Sequence, residues 1–232
     1  MKSFLKLAAS VAMIGVLTGC AGVTSNVYNN ASSQVSPMSP TMVFMPADIE
    51  INIQKAGGDL ELDVELSDES REGYETAVNE FMFERGVRVV PYEAESTVDA
   101  HLDLVREANT VMDSIELSQS ASGGIGSSRN LSLSESARSS LAGFGADYVT
   151  FTVLRATTPS GGRQAVAVLA AIGGVAVQTA DAKFRVAVFD LRDGQCIWAN
   201  FDPLALPDGK WLKADEDEWL ENIEHMYQEF PL

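Results

Sequence analysis

The stretch from Phe184 to Phe201 constrains the fold more than any other. Phe184-Arg185-Val186-Ala187-Val188-Phe189-Asp190-Leu191 is rich in β-branched and aromatic residues, and Cys196-Ile197-Trp198-Ala199-Asn200-Phe201 is a second such run. Asp193-Gly194 lies between them, so the pair reads as a β-hairpin closed by a tight type I′ turn. Apolar residues fall on both faces of the arms. A sheet with one face in water alternates apolar and polar residues, and these arms do not, so the hairpin belongs at the centre of a sheet covered by helices. Tyr148-Val149-Thr150-Phe151-Thr152-Val153-Leu154 adds a further core strand of the same composition.

The rest of the chain supplies elements to surround that core. Thr41 to Met45 reads as the first strand, stopped by Pro46. From Asp59 to Glu65, Leu60, Leu62 and Val64 alternate with Glu61, Asp63 and Glu65, the pattern of a half-exposed strand, with a loop as the other reading. Ser67 is placed to cap a helix that opens on Asp68 and Glu69, carries Tyr74, Val78, Phe81 and Met82 at helical spacing, and stops at Gly86. Val87 to Val90 follows as a strand ended by Pro91. Residues 98–104 are ambiguous, because Val98, Leu102, Val105, Met112 and Ile115 would also line one side of a long helix. The strict alternation of Val98, Ala100, Leu102 and Leu104 with Asp99, His101 and Asp103 decides for a strand. Ser118 to Ser128 reads as a loop and Ser134 to Leu141 as a short helix. Asp215 to Phe230 reads as an acidic amphipathic helix with Trp219, Ile223 and Met226 on one face. The expected architecture is one α/β (α+β) domain, residues 41–232, with a single mixed sheet, flanking helices and a C-terminal helix.

The N-terminus carries an address. Lys2 and Lys6 precede an uncharged apolar run, Leu7 to Leu17, too short for the roughly 20 residues that span a bilayer. The run ends in Leu17-Thr18-Gly19-Cys20, which resembles the lipobox of bacterial lipoproteins. That resemblance implies a signal peptide over residues 1–19, a diacylglycerol on the Cys20 thiol and an acylated Cys20 amine. At about 0.8 kcal/mol per buried CH₂, several acyl chains anchor firmly. Ala21, rather than Asp, follows the cysteine, which resembles an outer-membrane address facing the periplasm. Residues 20–40, rich in Ser and Asn, read as a flexible lipidated tether.

Charge and cysteine content narrow the function. Taking Lys2 and Lys6 away with the signal leaves 14 of the 16 basic residues against 33 acidic ones. Such a surface repels phosphate backbones, so nucleic acid is excluded as a partner. With Cys20 committed to lipid, Cys196 has no intrachain disulfide partner and reads as a buried, inert thiol.

Four stretches resemble landmarks of an uncharacterised family of bacterial envelope lipoproteins: Val43 to Glu50, Gly145 to Tyr148, Ser160 to Arg163, and Asp190 to Asn200. More loosely, a helix followed by Gly145-Ala146-Asp147-Tyr148 and a hairpin around Asp190-Leu191-Arg192-Asp193-Gly194 is similar to the curli-secretion-channel lipoproteins and the TolB amino-terminal domain. The peptidoglycan-synthase activator lipoproteins share that architecture. These resemblances imply a protein that binds or assembles with envelope proteins.

Catalytic and cofactor motifs are absent from the sequence. His101 and His225 stand alone, with no HExxH and no second histidine at ligand spacing, so no metal site is expected. Ser122-Gly123-Gly124-Ile125-Gly126 lacks the P-loop lysine and the dinucleotide fingerprint, and there is no G-x-S-x-G elbow. No catalytic residue, cofactor or metal is therefore assigned. Ala165 to Val177 lies in a charge-free interval between Arg163 and Asp181 and reads as a buried helix or hairpin, with an association surface or membrane contact as the other readings. The expected function is a non-catalytic, outer-membrane-anchored lipoprotein. Its expected partners are the bilayer, through acylated Cys20, and an envelope protein or a second copy of itself. A subunit of a secretion complex and an enzyme with a hidden site are the alternatives.

Overall fold

A computed structural model of the chain describes residues 27–30, 39–92, 98–122, 132–162, 181–201 and 215–232. Signal, lipobox and the Ala165 to Val177 segment lie outside these residues. In chain order the elements are β1 (Val27–Asn29), β2 (Thr41–Phe44), β3 (Asp48–Gln54), β4 (Leu60–Leu62), α1 (Val64–Glu84), β5 (Arg88–Pro91), α2 (Val98–Ser122), α3 (Glu135–Leu141), β6 (Tyr148–Pro159), β7 (Asp181–Asp190), β8 (Cys196–Asn200) and α4 (Glu216–Met226). The expected fold class holds: among the described residues there is one mixed eight-stranded sheet with four α-helices, the last of them C-terminal.

The hairpin is central. The sheet runs β1-β8-β7-β6-β2-β5, with β3 beside the second half of β6 and β4 outside β3. β6 and β7 pair antiparallel from Tyr148↔Asp190 to Thr157↔Asp181. On its other side β6 holds two parallel strands end to end, β2 up to Phe44↔Thr150 and β3 from Asp48↔Val153. Between those pairs β6 advances three residues and the β2–β3 stretch four. The extra residue is absorbed at Met45 to Ala47, where Pro46 has no N–H for the ladder. The stop at Pro46 is thus real, but the strand resumes at once, as Ile49 and Ile51 turn inward and Asp48 and Glu50 outward.

Both faces of the sheet are covered, as the two-sided apolar pattern requires. Tyr148, Leu154, Phe184, Val186, Val188 and Trp198 pack under α1 and α4. Val149, Phe151, Val153, Ala187, Phe189 and Ala199 pack under α2 and α3. Phe184, Phe189 and Trp198 are fully buried, each worth about 1.5–3 kcal/mol relative to exposure. Gly73 in α1 lets α4 dock, since a Cβ there would sit 2.4 Å from Trp219 Nε1. Capping of α4 is as expected: Asp215 accepts from Glu218 N, and the Glu218 carboxylate accepts from Asp215 N. The helix ends at Met226 rather than Phe230, and Glu229 takes φ 58° in the turn that follows.

Several expectations are corrected. Residues 98–104 are not a strand but the start of the 25-residue helix α2. Leu104, Ala108, Met112 and Ile115 are its buried residues, and this helical spacing, visible only over the longer window, overrides a seven-residue alternation. The same helix takes in Ser118 to Ser122, read as loop. α1 is capped by Asp63, whose Oδ1 accepts from Leu66 N at 3.0 Å. Ser67 instead is buried inside the first turn, accepting from Ile51 N at 3.0 Å and donating to Asp63 O at 2.6 Å. The hairpin turn is wider than type I′. Gly194 has φ +80° while Asp193 does not have positive φ, and Asp190 N donates across the four-residue loop to Gln195 O at 2.9 Å. Finally, part of the tether is structured, because Val27, Tyr28 and Asn29 pair antiparallel with Asn200, Ala199 and Trp198.

Candidate functional site

Most polar groups that sequence reading singles out are structural. Cys196 is buried, its Sγ donates to Trp198 O at 3.4 Å, and burial pushes the thiol pKa well up, so the inert reading is supported. His101 stands on helix α2, not on a strand, with its ring 5.4 Å from that of Tyr92. His225 is on the exposed side of α4. Among the described residues no group of three or more His, Cys, Asp or Glu could hold a metal ion. No helix among them is long and apolar enough to cross a membrane. Cys20 lies outside them.

Two polar arrangements were not legible in the sequence. The first is a buried chain of hydroxyls: Tyr74 OH lies 2.7 Å from Thr152 Oγ1 and 2.7 Å from Tyr227 OH, tying α1, β6 and the segment after α4 together. Burial pushes the Tyr227 phenol up to about 12, and burial likewise pushes the Tyr74 phenol well up. Both are neutral and sealed from water at ordinary pH, so the chain holds structure rather than doing chemistry. The second is a row of ion pairs on the α2 side, where the strands turn from apolar to charged. Arg155 meets Asp48 at 2.5 Å and Glu50 at 3.3 Å, Arg185 meets Asp113 at 2.5 Å, and Lys183 meets Glu116. Each cation has carboxylate partners, and most of these groups are well exposed, where such pairs contribute about 0–1 kcal/mol each.

The feature without a structural explanation is β4. It is the outermost strand beside β3, and among the described residues nothing pairs its other side. Leu60, Leu62 and Val64 are 57%, 50% and 59% exposed. The hydrogen-bond phase fixes what the edge offers. Asp63 N donates to Ile51 O at 2.9 Å and Lys55 N to Asp59 O at 2.8 Å, so Asp59, Glu61 and Asp63 turn their backbone groups toward β3. Leu60 and Leu62 turn theirs outward. Glu61, on the opposite face from the leucines, is engaged with Lys55 Nζ at 2.9 Å. The edge therefore combines open main-chain donors and acceptors, two leucines on one face and carboxylates between them. The alternation was legible in the sequence; the exposure of its leucines among the described residues was not.

No family model matches this chain, and no curated protein matches it. Among solved structures, the LpoB C-terminal domain from Salmonella enterica aligns over 72% of this chain and 82% of that one, at 13% identity and a TM-score of 0.29. At that score the likeness carries no topology, partner or activity over to this chain.

Proposed function

We propose that the protein is an outer-membrane lipoprotein, acylated on Cys20, whose folded domain is a non-catalytic docking module for an extended segment of another envelope protein. The observation that carries the reading is the β4 edge. An open strand takes up an extended peptide through main-chain hydrogen bonds, and the side chains flanking it select the peptide. Leu60 and Leu62 favour apolar residues on one face. Asp59, Glu61 and Asp63 favour basic residues on the other, and the acidic balance of the chain adds long-range attraction for them. Two copies of this chain pairing antiparallel about Glu61 would set carboxylates opposite one another, which disfavours self-association here. The lipobox-like Leu17-Thr18-Gly19-Cys20 supports the anchor.

A photocrosslinking residue at position 62, in cells, tests the docking. The expected result is a discrete adduct to one envelope protein, lost when Leu60→Asp is added and absent from position 83, where Phe83 is also exposed but on helix α1. Equal, diffuse labelling from both positions would defeat the proposal.

A further inference from the structure

β1 divides the tether between anchor and domain. Read from sequence, residues 20–40 form one free tether and the domain begins at residue 41. In the structure Val27, Tyr28 and Asn29 pair antiparallel with Asn200, Ala199 and Trp198, so the chain first joins the sheet at residue 27. Asn30 continues the attachment, its N donating to Ile197 O at 2.9 Å and its Nδ2 to Gln195 Oε1 at 3.1 Å. By the alternation of an antiparallel ladder, Tyr28 N–H faces β8 as well. Val27 packs against the core under α1 and α4, and Tyr28 against the core under α2 and α3. The strand is therefore gripped from both faces of the sheet as well as along its edge.

Chain length bounds the reach whatever path the intervening residues take. Cys20 is seven residues before Val27 and 21 before Thr41. At about 3.6 Å per residue, it lies no more than about 25 Å from Val27, whereas Thr41 as first fixed point would set a limit of about 75 Å. The sheet then fixes where β4 stands. Val27 and Leu62 are five strand spacings apart along β1-β8-β7-β6-β3-β4. The register runs Val27↔Asn200↔Val186↔Thr152 on one side and Leu62↔Asn52↔Thr157 on the other, so they are also offset by the five residues from Thr152 to Thr157 along β6. Spacings of about 4.8 Å between strands and 3.3 Å along them put Val27 and Leu62 roughly 30 Å apart.

We infer that β1 is a strap that holds the domain close to the membrane. It takes residues 31–40 out of the tether, so the length of residues 21–26 alone sets how far the domain stands from its anchor. The inference rests on Cys20 being the anchor and β4 the docking edge, as proposed above, and adds the reach. With β1 paired, Leu62 lies within about 55 Å of Cys20. Among partners fixed in the envelope, one whose extended segment comes inside that radius is taken up at β4, and one held farther off is not.

The test couples the mature chain, beginning at Cys20, to a maleimide lipid in phosphatidylethanolamine/phosphatidylcholine nanodiscs. This supplies the anchor chemically, and the buried Cys196 does not compete for the lipid. A fluorophore clicked onto an azido residue at position 83, where Phe83 is exposed, reports energy transfer to an acceptor in the lipid. Twenty Gly/Ser residues are inserted either between residues 23 and 24 or between residues 35 and 36. The first insertion should lower the transfer, because random-coil scaling lengthens a seven-residue tether by about 14 Å on average. The second should leave it unchanged, because those residues lie behind the strap. Tyr28→Pro, which removes a ladder donor from β1, should make the second insertion effective too. Equal losses from the two insertions in the unaltered chain would overturn the strap, as would no loss from either. The readings beneath it fail separately: an unmodified Cys20 in mass spectrometry of the protein from cells sinks the lipoprotein anchor, and diffuse labelling from position 62 sinks the docking edge, while the nanodisc result depends on neither.

Discussion

The two lateral limits of the sheet are finished in different ways. On one side β1 adds three uncharged residues to β8, both strands pack into the core, and Asn30 closes the end with a side-chain hydrogen bond. On the other side β4 also adds three residues, but its leucines stay half exposed and its neighbours are acidic. Edge strands are commonly blunted by charge against unwanted pairing. Here the charge is of one sign, so it discourages a second copy while remaining open to a basic segment. The contrast teaches that an edge is defined by what lies over it as much as by its own residues. One three-residue strand fastens the domain, and another of equal length is left to receive.

The comparison breaks most severely at β8, the strand that carries β1. Trp198 is fully buried, stacked on Tyr227 with ring centroids 5.4 Å apart, and edge-on to Phe230. Trp198→Ala is expected to cost about 3–5 kcal/mol. In a domain stable by about 5–15 kcal/mol that approaches unfolding, and urea denaturation should record it. A midpoint unchanged within error would mean that β8 is not anchored as described.

The turn that sets β8 against β7 comes next. Gly194 has φ +80°, and a Cβ there would lie 2.5 Å from Leu133 O. Gly194→Val should cost about 1–3 kcal/mol from backbone strain, with the clash added. Thermal melting measures it, and no loss would show that the turn relaxes freely.

Tyr227 sharpens the comparison through pH. Its pKa rises from 10.0 to about 12 on folding, so the neutral phenol is favoured by the folded state. That contribution is whole below pH 10 and is lost as pH rises through 10 toward 12. Tyr227→Phe should cost about 1 kcal/mol at neutral pH and flatten the alkaline fall in stability. An alkaline titration followed by circular dichroism would count against the buried hydroxyl chain if the two proteins declined in parallel.

The smallest effect on stability is expected at the other edge. Leu62→Asp lies on an exposed strand and should shift stability by no more than about 0.5 kcal/mol. Its crosslinked partner should nevertheless be lost. A large drop in melting temperature would instead place Leu62 in the core.

Sequence reading was most successful where a segment's environment is written in its own periodicity. The two-sided apolar arms of β7 and β8 announced a covered central hairpin. Tyr74, Val78, Phe81 and Met82 announced α1, and Trp219, Ile223 and Met226 announced α4. It failed where the deciding partner is distant. Val27-Tyr28 is too short an apolar pair to stand out in a Ser/Asn-rich stretch, and becomes a strand only because Ala199 and Asn200 offer an open ladder. At 98–104 the local alternation was genuine, but Ala108, Met112 and Ile115 settle the segment as a helix. In β4 the alternation of leucine and carboxylate was legible, whereas its exposure depends on the rest of the fold.

Amide hydrogen exchange along β4 tests the central claim most directly, because it asks whether the receiving edge is open. Fast exchange is predicted for Leu60 and Leu62, whose N–H groups face outward, and slow exchange for Asp63, whose N–H is bonded to Ile51 O at 2.9 Å, with Glu61 slow for the same reason of phase. Uniform protection across Leu60, Glu61, Leu62 and Asp63 in the isolated protein would contradict the account, since the edge would then already be occupied.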